Sequence, residues 1–196
     1  MPFNIPILLT WLRMALIPLV VGVFYLPPDW LSPFYQGVAS TTIFVVAALT
    51  DWIDGFLARR WNQTSSFGAF LDPVADKLMV AGALLVLVQL GRVDAVIAFV
   101  IIGREIAISA LREWMAQIGA SKSIAVNSLG KIKTIAQMVA IPMLLYHDML
   151  LGVIWTPMLG SWLLLIATVL TVWSMLYYLR KAWPMIKERN TADRAK

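Results

Sequence analysis

Six apolar runs, each of bilayer-spanning length, follow one another along the chain with short polar interruptions. A helix crosses a membrane with about 20 largely apolar residues. The runs predict helices over Ile7–Tyr25, Tyr35–Arg60, Phe67–Leu90, Ala95–Gln117, Ser128–Tyr146 and Met158–Trp183. Pro27-Pro28 with Ser32-Pro33, Asn62–Ser66, Gly91–Asp94, Gly119–Asn127 and His147–Pro157 read as the intervening turns and loops. The expected fold is therefore all-α: a polytopic membrane protein of six transmembrane helices forming one domain over 1–183. A polar cytoplasmic tail, 184–196, frays from Lys187 onward. Composition agrees, because 14% of the residues are charged, against about a quarter in soluble domains. The run after Arg13 superficially resembles a signal peptide. No small-residue cleavage site follows it, only Tyr25-Leu-Pro-Pro28, so it reads as an uncleaved first helix. Cysteine is absent, which excludes a disulfide frame and a thiolate metal site.

The basic residues orient these helices. Arg59, Arg60, Lys122, Lys131, Lys133, Arg180, Lys181 and the tail cations fall on one side, whereas the opposite loops carry only Arg92. Positive residues near short loops stay cytoplasmic. Both termini, the 2–3 loop and the 4–5 loop are thus expected on the cytoplasmic side. The net charge of +5 follows from this placement and does not argue for a nucleic-acid partner. The single histidine, His147, falls in an outer loop.

Against this apolar background stand four aspartates. Asp51, Asp54, Gly55 and Ala58 share a helical stripe at i, i+3, i+4 and i+7, and Gly68, Asp72 and Asp76 a second at i, i+4 and i+8. A short turn joins the two helices, so they run antiparallel and are expected to face each other. Ionisable residues inside spanning helices are costly and mark functional sites. Four converging carboxylates stay ionised only with cations nearby, and nearby bases are too few to pair them all. Hard oxygen ligands suit Mg²⁺, Mn²⁺ or Ca²⁺ rather than zinc. Two such ions can clamp a pyrophosphate and stabilise a leaving phosphate, while a spare carboxylate takes a proton from an attacking hydroxyl. Arg59 adds a cation suited to phosphate. The pattern predicts phosphoryl or phosphatidyl transfer in a cavity open to the cytoplasm.

The string Asp51-x2-Asp54-Gly55-x2-Ala58-Arg59-x8-Gly68-x3-Asp72-x3-Asp76 resembles the signature of the CDP-alcohol phosphotransferase family at all eight fixed positions and every spacing. The resemblance implies the family's fold of six transmembrane helices, usually as a homodimer. It implies a CDP-linked donor, an alcohol acceptor and CMP as product. Asp51, Asp54, Asp72 and Asp76 then hold two divalent ions, Mg²⁺ or Mn²⁺, and Asp76 is the general base. Asp51, Gly55, Ala58, Arg59 and Gly68 match donor-binding positions. Asn4-Ile-Pro-Ile-Leu-Leu-Thr10-Trp-Leu-Arg13 is similar to the family's opening segment, with its usual Asn-Pro-Asn start altered. Thr10 and Arg13 then reach donor phosphates; the competing reading is a helix cap and an interfacial arginine.

The acceptor is read from the second half. Arg112, Lys131 and Lys133 lie near the cytoplasmic face, where several cations suit an acceptor carrying its own phosphate. The alternative is that the lysines are orientation anchors only. Arg104-Glu105 is either part of this pocket or a structural pair. Arg104-Glu-Ile-x5-Arg112-Glu113, Gly130-Lys-x-Lys-Thr134, Thr50-Asp51-Trp-x-Asp54-Gly55 and Asp72-Pro-Val-Ala-Asp76-Lys77 resemble a bacterial branch of the family that resides in the inner membrane. That branch implies CDP-diacylglycerol as donor and sn-glycerol 3-phosphate as acceptor, in phosphatidylglycerol synthesis. Two other readings stand beside it: a sibling transferase that takes inositol phosphate, and a divalent-cation carrier. The carrier reading expects a mid-bilayer site at a repeat interface, and the chain shows no repeat.

Overall fold

Six helices and one short hairpin make up the described part of the computed structural model, residues 5–60, 66–117 and 128–194; side chains are described there except at 5–7, 54–59, 66, 67, 69, 128–131 and 185–194. The helices are α1 Ile5–Gly22, α2 Pro33–Arg60, α3 Ser66–Gln89, α4 Ala95–Gln117, α5 Ser128–Tyr146 and α6 Thr156–Arg194. A 3-10 turn, Val23–Tyr25, follows α1, and strands β1 Met149–Leu150 and β2 Ile154–Trp155 separate α5 from α6. The predicted turn at Asn62–Ser66 and the loop at Gly119–Asn127 lie outside the described residues, apart from Ser66.

Local chemistry explains the element ends. Pro33 opens α2, where its missing N–H has no helical acceptor to lose. Gly91, at φ +67°, closes α3. The Arg92 N–H reaches the Leu87 carbonyl (2.9 Å) and the Gly91 N–H reaches that of Val88 (3.0 Å), which satisfies the last carbonyls of the helix. The Asp94 carboxylate then accepts the Val96 N–H at 2.7 Å and caps α4.

Two expectations are corrected. The loop after α5 folds into a β-hairpin, with Met149 opposite Trp155 and Leu150 opposite Ile154. Its turn places Leu151 and Gly152 at φ 55° and 70°, the left-handed values that match strand twist in tight hairpins. The tail does not fray at Lys187, because α6 runs on to Arg194. Pro184 removes one backbone donor, and the Ile-Lys-Glu-Arg residues beyond it favour helix.

The helices alternate in direction and close a ring. Among the described residues α1 packs on α2 and α3, α3 on α4, α4 on α6, α6 on α5, and α5 back on α2, with α3 touching α5 across the middle. Among the described residues α1 is the main neighbour of both α2 and α3. Two glycines permit the closest approaches. A Cβ at Gly160 would lie 2.9 Å from Leu144 Cγ and 3.2 Å from the Ala140 carbonyl, and one at Gly37 would lie 2.9 Å from the Leu145 carbonyl. One apolar core runs through the ring, drawing Val20, Phe44, Leu84, Ile101, Ile141 and Leu164 from all six helices. Towards the end where α1 begins, the interior turns polar: Thr10, Arg13, Arg104, Lys133 and Gln137 are all buried.

By length and composition, segments of α1, α2 and α6 are apolar enough to cross a membrane, and Ile132–Tyr146 in α5 forms a shorter apolar stretch. The charges of α3 (Asp72, Asp76, Lys77) and α4 (Arg104, Glu105, Arg112, Glu113) interrupt theirs. The bundle's exterior carries many exposed large apolar residues, Trp162, Trp173 and Phe99 among them. Such a surface would be a liability in water and suits lipid.

Candidate active site

Helix α1 supplies the first contacts of the polar end. The Thr10 hydroxyl donates to Asp72 Oδ1 at 2.9 Å. Arg13, fully buried, pairs through Nη1 with Asp51 Oδ1, whose side chain remains 45% exposed. Thr10 and Arg13 are three apart, so one face of α1 engages both aspartate-bearing helices. A buried guanidinium beside the Asp51 carboxylate is what a carboxylate cluster in a low-dielectric interior requires.

Helices α4, α5 and α6 supply a second cluster. Glu105 Oε1 accepts from Arg104 Nη1 at 3.2 Å and from Lys133 Nζ. Arg104 Nη2 also donates to Ser174 Oγ at 2.9 Å, and that hydroxyl donates to the Thr171 carbonyl at 2.9 Å. Arg112 lies 5.5 Å above the Tyr178 ring and reaches its hydroxyl at 3.5 Å. Lys133 is within coulombic range of both Arg104 and Arg112.

Between the clusters lies a cavity of about 40 Å³, lined by Asp76, Lys77, Val80, Glu105, Thr134, Gln137 and Met138. Asp76 feels the charges of Asp51, Glu105, Arg13 and Lys77. An apolar crevice of about 100 Å³ between α3 and α4 shares Lys77, Val80 and Glu105 with it. The polar cavity and the apolar crevice thus lie side by side.

The predicted site residues fall into three groups. Asp51, Asp72, Asp76 and Thr10 come together around α1 and α3, and Gly68 sits half-buried in the first turn of α3. Lys133 is buried against Glu105, and Arg112 lies on the same side, exposed over Tyr178. The side chains of Asp54, Gly55, Ala58, Arg59 and Lys131 lie outside the described residues. Arg104-Glu105 is a pair within α4 and, through Lys133, a bridge between helices. The sequence reading leaves Glu105 open between the pocket and a structural pair, and omits Gln137. A glutamate in mid-run of an apolar helix is a signal for the first; Gln137, four residues after Lys133, carries only its spacing.

The sequence matches the CDP-alcohol phosphatidyltransferase family over residues 3–173. The chain belongs to that family. It is 54% identical over 184 residues to the CDP-diacylglycerol–glycerol-3-phosphate 3-phosphatidyltransferases of Shigella flexneri and Escherichia coli, covering 93% of this chain and 96% of each relative. CDP-alcohol phosphatidyltransferases generally work with divalent metal ions. The donor chemistry of Asp51, Asp72 and Asp76 fits such ions, being carboxylate oxygen throughout. Arg13 already places positive charge on Asp51, so the site is built to be compensated by cations. Among the described residues no three acids gather into a ligand set, and the Asp54 side chain lies outside them.

Proposed function

We infer that this CDP-alcohol phosphatidyltransferase transfers the phosphatidyl group of CDP-diacylglycerol to sn-glycerol 3-phosphate, releasing CMP and forming phosphatidylglycerophosphate. The observation that carries the reading is the 54% identity over 93% of the chain to enzymes of that name. The buried Lys133 beside Glu105, with Asp76 across the same cavity, supports it from the structure.

Asp76 takes the proton from the primary hydroxyl of the acceptor. The freed oxygen attacks the phosphorus that bears the lipid; the bond from that phosphorus to the bridging oxygen breaks, and CMP leaves with the electron pair. Lys133 and Lys131 with Arg112 bind the acceptor phosphate, and Glu105 holds Lys133 in place until the phosphate arrives. Thr10 and Arg13 position Asp72 and Asp51. Asp51, Gly55, Ala58, Arg59 and Gly68 bind the CDP portion of the donor. Mg²⁺ or Mn²⁺, as two ions held by Asp51, Asp54, Asp72 and Asp76, would neutralise the pyrophosphate. The apolar crevice between α3 and α4 leaves the acyl chains in contact with lipid.

All six helices cross the bacterial inner membrane in this reading, as one domain over 1–183 with tail 184–196 beyond it. Both termini and the active site face the cytoplasm, as the basic residues suggest, and two copies form a homodimer. Labelled acceptors tested with purified protein and CDP-diacylglycerol decide the substrate. Label should enter lipid from glycerol 3-phosphate. Incorporation from inositol phosphate alone would replace this acceptor with that of a sibling transferase, and metal transport by proteoliposomes without either lipid substrate would favour a carrier.

A further inference from the structure

One buried polar group at the cavity is left over by the steps above. Gln137 is 4% exposed and borders the same space as Asp76 and Glu105. Among the described residues its side-chain amide is not one of the fully enclosed groups left without a hydrogen bond; it borders the cavity instead. Gln137 follows Lys133 by four positions, one turn along the same face of α5. The next turn brings Ala140 and Ile141, both fully buried in the apolar core. Gln137 is therefore the last polar group on that face of α5 before the interior becomes wholly apolar.

The acceptor's polar groups can be assigned in turn. Its primary hydroxyl goes to Asp76 and its phosphate to Lys133. A secondary hydroxyl remains, between the two. A hydroxyl both donates and accepts, and so does a primary amide. The cavity, about 40 Å³, has room for a few water-sized groups, each needing roughly 10–15 Å³ on the same measure; it suits a small hydroxylated group. We propose that the Gln137 amide hydrogen-bonds the secondary hydroxyl of the acceptor, making it a specificity-determining residue for a three-carbon polyol phosphate. The proposal rests on the acceptor reading given above.

The test compares sn-glycerol 3-phosphate with 1,3-propanediol monophosphate, which lacks only the secondary hydroxyl. Sites built to bind a substrate hydroxyl reject analogues without it. The unsubstituted protein should prefer glycerol 3-phosphate by about 30-fold or more in kcat/KM, a factor in keeping with the loss of one buried hydrogen bond. In Gln137→Met that preference should collapse to within about 3-fold, by loss of efficiency on glycerol 3-phosphate while propanediol phosphate is used as before. Equal use of both acceptors by the unsubstituted protein, or a preference retained in Gln137→Met, overturns the proposal. If Gln137→Met loses both activities together, Gln137→Asn decides: a loss confined to glycerol 3-phosphate supports the role, and equal losses overturn it. Failure of the unsubstituted protein to use glycerol 3-phosphate at all is a different result, and refutes the acceptor reading instead.

Discussion

Replacing Glu105 with glutamine should unsettle the protein more than any surface charge change. Lys133 is 3% exposed and Arg104 7% exposed, and both donate to the Glu105 carboxylate. Without that charge two buried cations face each other unneutralised, with Arg112 also in range. Breaking a buried pair by removing one partner costs about 3–5 kcal/mol. The Glu105 side chain is 26% exposed, and glutamine keeps an accepting oxygen, so the lower end, about 3 kcal/mol, is expected. At about 2–4 °C per kcal/mol for a chain of this size, Tm should fall by about 6–12 °C. Intrinsic fluorescence of the nine tryptophans follows unfolding in detergent. Glycerol 3-phosphate should raise Tm more in Glu105→Gln than in the unsubstituted protein, since its phosphate restores the missing anion. In a double-mutant cycle, Lys133→Met should cost less when Glu105 is already glutamine. A Tm change under about 2 °C, or strictly additive effects in the cycle, would refute the bridge as a stabilising element.

Asp76→Asn should retain donor binding and lose turnover by about a thousandfold, within the usual range for a proton-transfer group; near-normal turnover contradicts its role as base. Lys133→Ala should raise the KM for glycerol 3-phosphate at least about tenfold and leave the donor KM alone, so an effect confined to the donor counts against the acceptor pocket. Gly160→Val should force α5 and α6 apart, because a Cβ there already meets Leu144 Cγ at 2.9 Å. Overpacking of this kind costs about 2 kcal/mol, seen as a Tm about 4–8 °C lower; an unchanged Tm would mean that the helices yield without strain.

What could be read from the chain alone followed from local chemistry. The bounds of α4 and α5 match those expected, because Asp94 caps one start and the apolar runs end at polar residues or at His147. The spacing of Asp72 and Asp76 on one helical face is likewise a local property. The place of α1 was not legible. Thr10 meets Asp72 across 62 positions and Arg13 meets Asp51 across 38. Each was a single polar residue in an apolar helix, equally compatible with a cap or an interfacial anchor. Only packing reveals that α1 lies along both aspartate helices. The same holds for Glu105 and Lys133, whose pairing spans 28 positions and two helices. The hairpin after α5 is not legible in the sequence, because Leu151 takes a left-handed conformation that leucine rarely adopts.

The central claim is that the carboxylates of α2 and α3 and the cations of α4 and α5 serve one reaction. CMP release from CDP-diacylglycerol by the purified protein tests it most directly, measured with and without glycerol 3-phosphate and with and without chelator. Release should require both the acceptor and Mg²⁺ or Mn²⁺, with one phosphatidylglycerophosphate formed per CMP. CMP release at the same rate without glycerol 3-phosphate, or unimpaired by chelation, would contradict the account.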